Sequence, residues 1–159
     1  MSETFSKSAV KKTPARSGLV RYYIHASSDK LAEAAFAPSD ALLAMGSGLP
    51  VAELSDLQEN LDVPVERLAP MLGISKATYH RNMLAGGKLK PAVSDRVVRY
   101  ARLLGKAVQV FGGMEDAKQW LGSTQFGLGG AVPLEYAKSE LGAREVENLL
   151  GRIEHGVYS

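Results

Sequence analysis

Residues Val65–Met83 read VERLAPMLGISKATYHRNM, and the punctuation of this stretch is that of two short helices meeting at a tight turn. A helix-turn-helix needs two steeply crossed helices joined by about three or four residues. Leu68, Leu72, Ile74, Tyr79 and Met83 are spaced to share one core, and Ala69 is small where the second helix must cross closely. Gly73 can take the left-handed backbone that tightens the turn. Ser75 stands at the N-cap of the second helix, leaving first-turn amides outward where they and the helix dipole suit a phosphate. With Tyr79 and Met83 turned inward, Lys76, Ala77, Thr78, His80 and Arg81 remain on or near the exposed face. Arg and Lys can donate to guanine O6 and N7, Thr78 offers a hydroxyl, and Ala77 allows close approach or a thymine-methyl contact. The ligand expected from these residues is double-stranded DNA. RNA is disfavoured, because no exposed aromatic platform for stacked bases is evident.

Working outward, nearly everything from Pro50 onward reads as helix. Pro50 suits a first helical position, and Leu54, Leu57 and Leu61 make one apolar stripe. Pro64 opens the first helix of the motif and Pro91 opens a longer one after it. In that longer helix Val93, Val97, Tyr100, Ala101 and Leu104 define a core face. Charge follows the same map. Val63–Gly112 holds nine basic residues (Arg67, Lys76, Arg81, Lys88, Lys90, Arg96, Arg99, Arg102, Lys106) against Glu66 and Asp95, a net of +7. Gly113–Ser159 holds four basic and seven acidic residues, a net of −3. Such asymmetry suggests a polyanion-facing segment joined to one with a different partner. Ser75, Lys76, Ala77, Thr78, His80 and Arg81 are therefore the candidate readers. Lys88, Lys90, Arg96, Arg99 and Arg102 are expected to hold the phosphate backbone. Because one helix-turn-helix reads few bases, a homodimer on a palindromic operator is expected, with half-sites ~34 Å apart or a multiple of it.

The expected organisation is a flexible basic tail over 1–18, an N-terminal segment over 19–47, the helix-turn-helix domain over 48–112 and a small helical domain over 113–159. Within the second, Leu19–His25 is β-prone, whereas Ser28–Ala37 and Ser39–Met45 look helical; this segment is a candidate dimer surface. In the last domain Met114–Leu121 is a short helix, Gly122–Ala131 a mobile glycine-rich loop, Pro133 to about Leu141 a helix, and Ala143–His155 the final one. The fold class is all-α. Trp120, Phe126, Leu128, Leu149, Ile153, Val157 and Tyr158 are many apolar side chains for so short a domain, so some are expected to meet a partner.

Catalysis is not expected. The chain has no cysteine, and His25, His80 and His155 share no motif spacing. Neither a His-Glu-x-x-His pair nor a phosphate-loop Gly-Lys-Ser/Thr is present. Gly127–Gly130 lacks the preceding strand and following lysine of a phosphate cradle. No metal site and no cofactor follow from this inventory. With no run of ~18 apolar residues and no apolar leader core, the expected location is the cytoplasm.

From about Gly48 onward the chain resembles the Xre/MbcA/ParS antitoxins that pair with RES-domain toxins. The likeness runs through Leu68-Ala69, Leu72–Ser75, Thr78–Arg81, Ser94–Arg96, Arg99–Leu103, Ala107–Gly112, Ala117–Leu121, Leu128–Leu134 and Leu150–Gly156. Tyr79-His80 departs from a more frequent Leu-Tyr, which bears on operator identity. The resemblance implies a type II antitoxin whose C-terminal segment occludes the NAD pocket of a RES-type toxin and whose helix-turn-helix represses its own operon. On that resemblance the toxin-contact candidates are Trp120, Leu128, Pro133, Leu149, Arg152, Ile153, Glu154, His155, Gly156 and Tyr158. Read from residues alone, a stand-alone dimeric regulator with a ligand- or partner-binding C-terminal domain remains open.

Overall fold

Residues 18–25 and 46–156 are described in the computed structural model, and they are helical with no extended strand. The expected tail, the helices expected over Ser28–Ala37 and Ser39–Met45, and Val157 and Tyr158 lie outside the described residues.

Leu19–His25 is a helix, α1, not the β-prone segment its Val, Tyr and Ile content suggests. Packing overrides propensity here. Leu19, Val20 and Ile24 are fully buried, and the amides of Leu19 and Val20 donate to the two carboxylate oxygens of Glu53 at 3.1 and 2.9 Å. Two donors that a helix start leaves unpaired are thereby satisfied from a distant element.

Helix α2 (Ala52–Leu61) begins two residues after the expected Pro50. Pro50 instead bridges to Lys88, flanked by Leu89 N–H to Leu49 O at 2.7 Å and Val51 N–H to Gly87 O at 2.9 Å. This clasp ties the entrance of α2 to the exit of the motif. Helices α3 (Val65–Met71) and α4 (Lys76–Ala85) follow, joined by a turn in which Gly73 has φ +73°. Leu68, Leu72 and Tyr79 are buried between them as expected. Met83 is not: it is 37 % exposed, and its sulfur accepts a hydrogen bond from Ser55 Oγ at 3.7 Å.

Helix α5 (Pro91–Phe111) opens on proline and ends at left-handed Gly112. Its face Val97, Tyr100, Ala101, Leu103, Leu104 and Ala107 is almost wholly withdrawn from solvent, and one continuous core surrounds it. Helices α1 and α2 pack on it from one half of the chain, α6 (Met114–Leu121) and α8 (Glu140–Glu154) from the other. A Cβ on Gly105 would collide with the carbonyl of Tyr23, so α1 crosses α5 at backbone contact.

The C-terminal half differs in detail from expectation. Helix α7 is only Pro133–Tyr136, and α8 starts three residues earlier than expected. Ser139 sets that start, its Oγ accepting from Gly142 N–H at 2.9 Å. The Gly122–Ala131 stretch is a closed turn, with Gln125 and Ala131 bridged and Leu128 in the core. Burial pushes the Tyr100 phenol well above its usual range, so its hydroxyl stays protonated and donates to Leu134 O at 2.9 Å.

Candidate nucleic-acid interface and partner face

Tyr79 fixes the roll of α4. It is the buried residue of that helix, and its hydroxyl donates to Gln58 on α2. With that side inward, Lys76, Ala77, His80, Arg81 and Leu84 fall at i, i+1, i+4, i+5 and i+8 and are all exposed. Ser75 caps the helix, accepting from Thr78 N–H at 3.0 Å, and the two hydroxyls are also bonded at 3.0 Å. Lys76 pairs with Glu66 at 2.7 Å, and that hydrogen bond holds the Glu66 carboxyl below its ordinary range. Arg81, Lys88 and Lys90 are exposed and form no ion pair among the described residues. Leu84 is 89 % exposed at the end of the same stripe. Leu84 is not among the expected readers, although the i+3 step from Arg81 reaches it.

The other expected phosphate contacts have different surroundings. Arg96 lies across the motif's turn, its Nη1 donating to Leu72 O at 3.3 Å. A Cβ on Gly73 would come within 2.7 Å of that nitrogen. The Arg99 side chain is 11 % exposed, donates to Lys138 O at 2.9 Å and pairs with Glu140 at 3.4 Å. It therefore clamps α5 to the α7–α8 connection and leaves little to offer a phosphate. Arg102 pairs with Glu147 at 3.2 Å, Lys106 with Glu154 at 3.6 Å and Arg67 with Glu135 at 3.4 Å. Part of the charge asymmetry is thus an internal interface. Four of the nine cations face carboxylates of the acidic C-terminal half.

The expected partner-face residues divide in two. Leu128, Pro133 and Leu149 are buried in the core, and Trp120 is half-buried against Phe111 at 5.5 Å between ring centroids. Their apolar surface is used within the chain. Arg152 and Ile153 are partly buried, while Glu154, His155 and Gly156 are exposed at the end of α8. Among the described residues no helix is long and apolar enough to cross a membrane, and no His, Cys, Asp and Glu group could hold a metal ion.

These features define a helix-turn-helix protein whose second helical unit is built on the same long α5. Residues 42–102 match the family described as the antitoxin Xre-like helix-turn-helix domain. Residues 106–156 match the antitoxin Xre/MbcA/ParS C-terminal toxin-binding domain. Antitoxin Xre of Photorhabdus laumondii subsp. laumondii is 34 % identical over 116 residues, covering 72 % of this chain and 78 % of that protein. Antitoxin Xre of Yersinia enterocolitica serotype O:8 is 35 % identical over 98 residues, covering 61 % of this chain and 66 % of that one. The chain belongs to the Xre antitoxin family, a type II antitoxin class.

Proposed function

We propose that the protein neutralises a RES-domain, NAD-consuming toxin by covering its active site with the segment 152–159, and that it represses its own operon through α4. The observation that carries the first half is the end of α8. Glu154, His155 and Gly156 are exposed and have no part in the core, within a region matching a toxin-binding domain family. Ile153 offers an apolar anchor, while Arg152, Glu154 and His155 supply polar groups able to replace those of a nucleotide. Left-handed Gly156, at φ +74°, lets the chain turn away from the helix axis.

Repression rests on the exposed stripe of α4 with Lys88 and Lys90 beside it. Ser75, Lys76, Ala77, Thr78, His80 and Arg81 would meet base edges or adjacent phosphates in the major groove. A homodimer would place two such helices on a palindrome. In this reading the protein works in the cytoplasm, beside its operator and its toxin.

The test must respect the packing. Val146, Leu149 and Leu150 of α8 are buried, so a cut near Gly142 would remove part of the core. A chain ending at Ile153 keeps them. Co-expressed with the adjacent toxin gene, the full chain should sustain growth and the shortened one should not, while both retard operator DNA equally. Equal protection by the two chains would refute the occlusion reading.

A further inference from the structure

Three glycines lie inside the long helices α5 and α8, and two have an internal reason. A Cβ on Gly105 would strike the carbonyl of Tyr23, and one on Gly142 would strike the carbonyl of Tyr136. Gly151 has none among the described residues: a Cβ there meets nothing of theirs within 4 Å, and its backbone is ordinary helix. A glycine in a helix interior costs stability relative to alanine, so one with open space at its Cβ offers a place where another backbone can come close.

Gly151 lines a groove of about 850 Å³ between α5 and α8. Its polar lining is Arg102, Lys106, Gln109, Asn148, Arg152 and His155, with Glu147 the lining carboxylate. Arg102 and Lys106 are already paired with Glu147 and Glu154. Arg152 forms no ion pair among the described residues, and its Nε is buried without a hydrogen-bond partner. A buried guanidinium nitrogen lacking an acceptor is a standing demand for one. The volume exceeds what an inorganic anion fills and suits several side chains of an extended segment. Two of its cations are already neutralised by Glu147 and Glu154, which leaves too little free positive charge for the many phosphates of a nucleic-acid backbone.

We propose that this groove docks a carboxylate-bearing segment of the toxin, with Arg152 pairing to the carboxylate and Gly151 admitting the segment's backbone. The proposal rests on the toxin-neutralising reading above; it moves Arg152 from the occluding segment to a second contact on the side of α8 and leaves the residues after it to cover the active site.

Calorimetric titration of the full chain with its toxin tests it, using Gly151→Leu to fill the groove, Arg152→Gln to remove the charge and Arg144→Gln as an exposed control on α8. Gly151→Leu should weaken toxin affinity at least 100-fold while its Tm stays level or rises. Arg152→Gln should weaken it at least tenfold and reduce its salt dependence, and Arg144→Gln should stay within twofold. Toxin binding by Gly151→Leu and Arg152→Gln within twofold of wild type would overturn the groove, leaving the toxin-neutralising reading intact. A lowered Tm for Gly151→Leu with toxin affinity unchanged would mean that this chain's own residues fill the groove, which also overturns it. Failure of the wild-type chain to bind the toxin would remove the reading beneath and the groove with it.

Discussion

Arg81 and Arg96 both carry charge near the recognition helix, yet their surroundings give them different tasks. Arg81 is exposed on the stripe of α4 and has its full guanidinium to offer. Arg81→Ala should cost ~1–3 kcal/mol of operator affinity and relax preference at one base pair. Arg96 rests on Gly73 and donates to Leu72 O, so it braces the turn that orients α4. Arg96→Ala should lower discrimination between operator and scrambled DNA while leaving the salt dependence unchanged. A phosphate contact would instead reduce the logarithmic slope by about 0.9. Fluorescence anisotropy at several salt concentrations separates the two. Ser75, Gly73 and Tyr79 were legible in sequence because capping, turn and roll are local matters. Arg96 was not, because the carbonyl it serves lies on the preceding helical pair and only the folded crossing brings them together.

Among the elements, α1 shows where local propensity fails. Its β-prone residues become helical because Glu53 supplies acceptors for its first amides and α5 supplies a wall for its apolar side. Glu53→Gln would turn one acceptor into a donor facing a buried N–H. It should cost ~1–3 kcal/mol in denaturant unfolding. The interface between α5 and α8 makes the complementary point about charge. Net charge alone points Arg99 and Arg102 at phosphates, but Glu140 and Glu147 meet them in the fold. Arg99→Ala should therefore lower stability by ~1–3 kcal/mol, through lost charged hydrogen bonds, with operator affinity and its salt slope unchanged. Acid acts on the neighbouring Arg67–Glu135 link. Hydrogen bonding from Lys138 above all, aided by Arg67 and opposed by partial burial, holds the Glu135 carboxyl below its ordinary range. A carboxyl lowered on folding stabilises above its unfolded value and loses that contribution as pH falls through its folded one. Thermal unfolding of Glu135→Gln should then lose less stability than wild type between pH 5 and the acid limit, taking the unfolded carboxylate at ~4.3.

For the whole molecule, the break at Gly112–Gly113 was visible as a change of charge, and Gly112 is left-handed there. Packing shows what charge could not: the core continues across it, with α5 buried by elements from both sides. One stripe of α4 and the end of α8 remain outside that core, and the proposed function gives each of them a partner. The central claim is that the second face inhibits an NAD-consuming toxin. The most direct measurement is NAD consumption by the purified toxin, alone, with the full chain and with the chain ending at Ile153, while operator binding is followed in parallel. Full-length protein should stop NAD loss at equimolar ratio, and the shortened chain should leave it running though it still binds operator. Continued NAD loss in a saturated full-length complex, or equal protection by the shortened chain, would contradict the account.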